Sequence, residues 1–248
     1  MAFLSWTIDF YIAIWLNYCR ALLLGGYHLK IFTNRVEAGK RLASALADFV
    51  SKNGIVLAIP RGGVVVGFEV AHALGLSLDV IVPRKIGAPD NPELAIGAMT
   101  EDGIILLDNE LVRYLGVSEA HIKKESEKQR TEIQRRLRLY RGNVACPKLK
   151  NRDVIIVDDG IATGSTMKAA IASVRKSGAK TVTVAIPVGP PSTIRELERQ
   201  ADRVVCLFAP EPFHAIGEFY EDFAQTEDSD VTNLLRLIKP RGLAKRRR

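Results

Sequence analysis

The stretch from Val154 to Thr166 constrains the fold of this chain most strongly, because it combines an apolar run, two acids and a turn of mostly small residues (VIIVDDGIATGST). Val154–Val157 is a short β-branched run, which is typical of a strand buried on both faces of a sheet. The run ends on Asp158 and Asp159, and a helical pattern follows over Met167–Lys176. The sequence therefore predicts a strand–turn–helix unit.

The turn over Gly160–Thr166 is suited to binding an anion. Small side chains let the backbone wrap a phosphate, and the first N–H groups of the following helix point at it with the positive end of the helix dipole. Two adjacent carboxylates would repel that phosphate unless they face sugar hydroxyls or a divalent cation. A phosphorylated ribose with a metal ion fits both the anion-binding turn and the two carboxylates. The alternative is an ordinary strand–helix turn with Ser/Thr capping. A P-loop is disfavoured because no G-x-x-x-x-G-K-[ST] pattern occurs.

The segment resembles the diphosphoribose-binding motif of type I phosphoribosyltransferases, which is a hydrophobic strand, two acids, variable residues and Thr-Gly-x-Thr. The resemblance implies that Asp158 and Asp159 bind the ribose hydroxyls of phosphoribosyl pyrophosphate (PRPP). It also implies that the loop binds the 5′-phosphate through Ala162, Thr163, Gly164, Ser165 and Thr166. The resemblance extends over roughly residues 30–238.

A second predicted strand, Ile55–Ile59, runs into Pro60-Arg61-Gly62-Gly63-Val64 before a predicted helix over Val65–Leu74. Glycines and a cation between a buried strand and a helix let an anion approach the backbone. The resemblance implies that Arg61, Gly62 and Gly63 bind the pyrophosphate. Taken alone, the pattern also fits a tight turn with a surface arginine.

A long loop is predicted after the third strand, Leu78–Val82. Pro83–Glu93 contains three prolines, one glycine and the basic pair Arg84-Lys85, without apolar periodicity, and long loops in compact domains are usually functional. The resemblance implies a mobile flap that closes over the pyrophosphate with Arg84 and Lys85 as cations. Such a flap would exclude water from the reacting ribose, although a solvated loop with incidental charge is the alternative. Glu101-Asp102-Gly103 predicts a hairpin turn.

The remaining patterns alternate between helix and strand. The predicted segments are an amphipathic helix from Asn34 or Arg35 to Phe49 with Val36, Leu42, Ala43, Leu46 and Phe49 on its apolar face, a long helix capped by Ser118 and reaching about Tyr140, a strand Thr181–Ile186, a helix capped by Ser192 and reaching Gln200, a strand Val204–Leu207 and a short helix Val231–Ile238. Aromatics and acids interleave over Pro210–Phe223, which suggests either a lid over the acceptor or packing on the core. The alternation predicts an α/β fold with a doubly wound, mainly parallel sheet, to which the resemblance adds a flexible hairpin loop and a small hood.

The implied reaction transfers the 5-phosphoribosyl group from PRPP to a nitrogen acceptor with release of pyrophosphate. Mg²⁺ would bind mostly through substrate and water, with Asp158 and Asp159 as the protein ligands. Hypoxanthine–guanine members of the family carry an acid at the position of Ala162, so a 6-oxopurine acceptor is disfavoured. The alternative is a non-catalytic PRPP or nucleotide sensor. The expected partners are PRPP, one small acceptor and a second copy of the chain in a homodimer.

Charge and composition limit the other functions. The formal net charge is +7, and six of these charges lie in the acid-free tail (residues 239–248), at Lys239, Arg241, Lys245, Arg246, Arg247 and Arg248. The tail is predicted to be disordered and solubilising, with a contact to RNA or another anionic surface as the alternative. The long helix is also basic, but its Glu–Lys and Glu–Arg spacing favours a solvated arm over nucleic-acid binding. The cysteines Cys19, Cys146 and Cys206 form no C-x-x-C pair, which favours a reducing cytoplasm and no structural zinc.

Residues 1–28 form an apolar extension that precedes a predicted domain over residues 29–238. Asp9, Asn17 and Arg20 interrupt its apolar run, and it lacks the basic start and cleavage site of a signal peptide. It is interpreted as neither a membrane span nor a signal. One hypothesis is that native translation starts at Leu29; a helix that packs on a partner is the other.

Overall fold

The computed structural model describes residues 30–92, 94–142 and 144–238. The N-terminal extension and the basic tail therefore lie outside the described residues, and their predictions remain untested. The helices and strands, in chain order, are α1 (Arg35–Leu46), β1 (Gly54–Ala58), α2 (Gly62–Leu74), β2 (Ser77–Val80), β3 (Arg84–Gly87), β4 (Ala95–Met99), β5 (Ile105–Leu107), α3 (Asn109–Tyr114), α4 (Glu119–Arg141), β6 (Asp153–Val157), α5 (Ser165–Lys176), β7 (Thr181–Val188), α6 (Pro191–Glu198), β8 (Arg203–Phe208) and α7 (Asp228–Leu237), with short 3₁₀ helices at Ala47–Phe49 and Ile216–Phe219. No helix among the described residues has the length and hydrophobicity needed to cross a membrane.

The central sheet has five parallel strands in the order β2-β1-β6-β7-β8. The apolar sides of α1 and α2 pack on one face of this sheet, and those of α5 and α6 pack on the other. From β1 the chain turns to β2 on one side, whereas from β6 it turns to β7 on the other. The strand order thus reverses between β1 and β6, and this is where ligands bind in open α/β sheets. The prediction of a doubly wound parallel sheet is confirmed.

A second, antiparallel sheet contains β3, β4 and β5. It packs against α4 and α5, and Ile86, Ile96 and Met99 belong to a core cluster that also contains Ile133 of α4 and Val231 of α7. The predicted hairpin at Glu101-Asp102-Gly103 is confirmed. The prediction of one loop over Pro83–Glu93 is wrong at its start, because Arg84–Gly87 forms strand β3 and pairs with β4.

Residues near the start of the described chain pair with residues 216–224 over one face of the central sheet. The Phe32 carbonyl accepts the Glu221 N–H at 2.8 Å, and the Thr33 carbonyl accepts the Asp222 N–H at 2.9 Å. Phe32 and Tyr220 are both fully buried there, with ring centroids 5.3 Å apart. We call residues 30–35 together with residues 216–224 the clasp. The clasp fits the packing interpretation of the 210–223 segment, but its N-terminal half was not anticipated.

Several local predictions need correction. The helix predicted to be capped by Ser192 and to reach Gln200 instead spans Pro191–Glu198 with Pro190 as its N-cap, because proline is favoured in the first helical turn. Val36 and Phe49 are exposed rather than part of the core, and the guanidinium of Arg203 lies over the Phe49 ring. Helix α3 was not predicted. Asn34 and Ser118 cap α1 and α4 as expected.

Candidate active site

The acids that end β6 lie against the glycines that begin α2. β1 and β6 are neighbouring parallel strands, so the turns that follow them share one edge of the sheet. A methyl group on Gly62 would stand 1.9 Å from Asp159 Oδ2, and one on Gly63 would stand 2.8 Å from Asp158 Oδ1. Such distances are impossible for real side chains. The structure therefore brings together the two predicted motifs, and both positions must be glycine for the acids to fit.

The Asp159 carboxylate is paired with Arg35, a residue that the sequence analysis did not single out. Arg35 Nε donates to Asp159 Oδ2 at 2.6 Å, and both side chains are largely buried. The Tyr220 hydroxyl donates to the Asp159 carbonyl at 2.6 Å. The clasp thus contacts the acidic pair through one side chain from each of its halves. No sequence signal marked these contacts, since Arg35 is 124 residues from its partner.

The surroundings of Asp158 disfavour its charged form. Burial, and then the negative charge of Asp159, raise the pKa of the Asp158 carboxyl well above its ordinary value. Asp158 Oδ1 also accepts the backbone N–H of Asp159 at 2.9 Å. Strongly shifted carboxyls in such positions are frequent at functional sites.

The turn of small residues is braced from α6 and leads into the N-terminus of α5. Gly164 caps α5 in the left-handed conformation, at φ 70°. The Thr193 hydroxyl donates to the Ala162 carbonyl at 2.7 Å. The hydroxyls of Thr163 and Ser165 lie 3.2 Å apart, and both Ala162 and Thr163 are exposed. The exposed part of the turn therefore lies at a helix N-terminus, where the first backbone N–H groups have no partner within the helix, as an anion site requires.

The three predicted cations occupy different surroundings. Arg61 directly precedes α2, and its Nη1 lies 3.6 Å from Glu227 Oε2. Arg84 lies on β3 and donates to Gln129 Oε1 on α4 at 2.9 Å; burial and the nearby Arg136 lower the pKa of Arg84. Lys85, the next residue on the strand, is exposed. The structure does not place Arg84 in contact with the acidic pair.

The acidic pair has donors of the right chemistry for Mg²⁺, which takes one or two carboxylates and completes its octahedral shell with substrate and water. The Arg35 bond uses one oxygen of Asp159, and the Asp159 N–H uses one of Asp158. Within residues 30–92, 94–142 and 144–238, no group of three or more His, Cys, Asp or Glu side chains could form a metal site. The remaining oxygen acceptor sites of Asp158 and Asp159 could take part in binding such an ion together with substrate and water.

Comparison with known proteins identifies a family for this chain. A family model described as "Phosphoribosyl transferase domain" matches residues 29–223. Two curated proteins from Mycobacterium tuberculosis strains, CDC 1551 and H37Rv, each named "Putative phosphoribosyl transferase", are 45% identical over 208 residues. The match includes 84% of this chain but 47% of each of those proteins, so the chain spans about half of their length.

A solved structure resembles most of this chain. The crystal structure of TT1426 from Thermus thermophilus is 41% identical, with a TM-score of 0.73. The match spans 84% of this chain and 99% of that one. The family model matches most of the sequence, and the acidic pair and the Gly62-Gly63 turn lie together where the strand order reverses. This chain therefore belongs to the phosphoribosyl transferase family.

Proposed function

We propose that this chain transfers the 5-phosphoribosyl group of PRPP to a nitrogen acceptor and releases pyrophosphate. The observation that carries the proposal is the meeting of three groups at the reversal point between β1 and β6. These groups are the acidic pair, the Gly62-Gly63 turn and the Thr163–Thr166 turn. A sugar that carries phosphate at one end and pyrophosphate at the other matches this arrangement.

Each group has one task in the proposed reaction. Asp158 and Asp159 accept hydrogen bonds from the ribose hydroxyls and orient the ring. The Thr163–Thr166 turn binds the 5′-phosphate at the positive end of α5. The Gly62-Gly63 turn and Arg61 bind the pyrophosphate and stabilise its growing charge.

The acceptor nitrogen then forms a bond to C1 of ribose while the bond from C1 to the pyrophosphate oxygen breaks. The pyrophosphate leaves with the bonding electrons. Bound Mg²⁺ would supply charge neutralisation of the leaving group. Ala162 stands where hypoxanthine–guanine members carry an acid, and its methyl group accepts no proton. We therefore propose an acceptor other than a 6-oxopurine, with the acceptor's proton passing to solvent.

The test is pyrophosphate release from PRPP and Mg²⁺ with a panel of acceptors, namely adenine, hypoxanthine, guanine, uracil, orotate and small amines. We expect release with one acceptor class other than hypoxanthine and guanine. Asp159→Asn should lower the rate about 100-fold or more, which is the scale for losing one polar contact to a transition state.

Asp153→Asn is the matched control, because Asp153 begins the strand that the acidic pair follows and is hydrogen-bonded to Ser51 and Thr181 away from the site. It should leave the rate per folded molecule unchanged. Tight PRPP binding without turnover of any acceptor would contradict the transferase and support a sensor. Failure to bind PRPP would exclude both functions.

A further inference from the structure

Arg35 occupies a position that local helix physics does not favour. It is the first residue of α1, directly after the N-cap Asn34. The N-terminus of a helix carries partial positive charge, so a cation there is unfavourable. A residue that violates a local preference is often held in place by a functional contact elsewhere.

Three contacts fix the Arg35 guanidinium. Nε donates to Asp159 Oδ2 at 2.6 Å, Nη1 donates to the Ala224 carbonyl at 2.7 Å, and the group lies 3.8 Å from the centre of the Phe223 ring. The side chains of Arg35 and Asp159 are only 12% and 13% exposed. A planar guanidinium held from three directions has one orientation, so Arg35 offers Asp159 a rigid partner.

Asp159 is confined on its other sides as well. Its Oδ2 touches Gly62 so closely that a methyl group there would stand at 1.9 Å. Its backbone carbonyl accepts the Tyr220 hydroxyl. A carboxylate has about four acceptor sites over its two oxygens, so one bond to Arg35 leaves acceptor capacity for a sugar hydroxyl.

From these contacts we infer that Arg35 is a positioning residue for PRPP binding: it acts through Asp159, whose carboxylate it holds in the orientation that receives the ribose hydroxyls. The inference rests on the proposed function. It also gives the clasp a role, because Phe223 and Ala224 orient Arg35 from the C-terminal half.

The test compares Arg35→Met with Arg41→Met by calorimetric titration of PRPP with Mg²⁺ and by steady-state kinetics. Arg41 is a close control because it lies on the same helix, donates to the Ile31 carbonyl at 3.0 Å and lies 4.8 Å above the Phe32 ring. Its ion-pair partner is Glu37 rather than an acid of the motif. Both variants should lose some thermal stability.

Arg35→Met should weaken PRPP binding about 10- to 100-fold, as expected when a buried charged partner is lost, with a larger change in KM than in kcat. Arg41→Met should bind PRPP within twofold of the wild type. Arg35→Lys, which keeps the charge without the planar fork, should give an intermediate Kd. A purely structural role would instead make the Kd follow the melting temperature in both variants.

Phe223→Leu provides a milder variant that keeps apolar volume and removes the ring under the guanidinium. It should weaken PRPP binding in the same direction by a smaller factor. Unchanged or tighter PRPP binding by Arg35→Met, or by Phe223→Leu if Arg35→Met does not fold, would overturn the inference and leave the proposed function intact. A wild-type protein that binds no PRPP would overturn both.

Discussion

Gly62 leaves room for a carboxylate, in addition to the close approach of pyrophosphate that its sequence context predicts. In the structure, the Asp159 carboxylate fills the space that a side chain at Gly62 would need. Gly62→Ala should therefore displace Asp159 from Arg35. We expect a loss of about 1–3 kcal/mol in unfolding free energy, typical of overpacking, and weaker PRPP binding.

Urea denaturation and PRPP titration measure the two effects of Gly62→Ala. A variant with wild-type stability and affinity would show that the acid can move aside at no cost.

Asp158 should make the stability of the protein depend on pH. Its folded-state pKa is raised by burial and by Asp159, so the folded protein holds a proton that the unfolded chain releases. The stabilisation is fully present below the unfolded pKa of about 4 and is lost as the pH rises through the folded pKa. Asp158→Asn, which mimics the neutral acid, should melt at a higher temperature than the wild type at neutral pH.

The gap in melting temperature between Asp158→Asn and the wild type should close as the pH falls toward 4. PRPP-dependent activity should be lost in this variant, since stability and function oppose each other at such sites. A gap that stays constant with pH would contradict the raised pKa of Asp158.

At the scale of elements, the β4–β5 hairpin is fixed at its tip. The Asp102 carboxylate accepts the Thr100 hydroxyl at 2.5 Å and the Ser173 hydroxyl of α5 at 3.1 Å. Arg141 of α4 pairs with Glu101 of the same turn. The tip therefore contacts the helix whose N-terminus forms the proposed phosphate site.

Asp102→Ala should loosen this hairpin. We expect faster amide hydrogen exchange in β4 and β5, because local opening costs less free energy once the tip is released. Asp90→Ala, in the exposed connection between β3 and β4, is the control and should leave exchange in both strands unchanged. Equal exchange in the two variants would show that the tip contacts do not hold the hairpin.

Elements with strong local signals could be predicted from the sequence, and those decided by long-range contact could not. The β-branched runs of β1 and β6, the Asp102 turn and the Ser118 cap are local features, and all were predicted. Strand β3 was predicted as loop because its proline-flanked, basic sequence lacks alternation, and pairing with β4 decides its structure. Asp158 and Asp159 directly follow the β6 run and were predicted together with it, whereas Arg35 and Tyr220 reach the site only when the two halves of the clasp pair.

At the scale of the whole molecule, the clasp connects residues 30–35 and residues 216–224 to the acidic pair. Tyr220 is 1% exposed, and its hydroxyl bonds to the Asp159 carbonyl. Tyr220→Phe should therefore leave that carbonyl without its partner and cost about 1–2 kcal/mol. For a protein of this size, each kcal/mol lowers the melting temperature by about 2–4 °C.

Tyr114→Phe is the control for this prediction, since the Tyr114 side chain is 87% exposed. Calorimetry should show one unfolding transition for each variant, and the melting temperature should be lower than that of the wild type only in Tyr220→Phe. A separate early transition in that variant would mean that the clasp unfolds independently of the sheet.

The central claim is that the acidic pair and the Thr163–Thr166 turn bind the two ends of one phosphorylated sugar. A crystal structure with PRPP and Mg²⁺ tests this claim most directly. We expect the 5′-phosphate in the turn at the N-terminus of α5, with ribose hydroxyls within hydrogen-bonding distance of Asp158 and Asp159. A 5′-phosphate bound outside that turn, or a ribose that touches neither carboxylate, would contradict this claim.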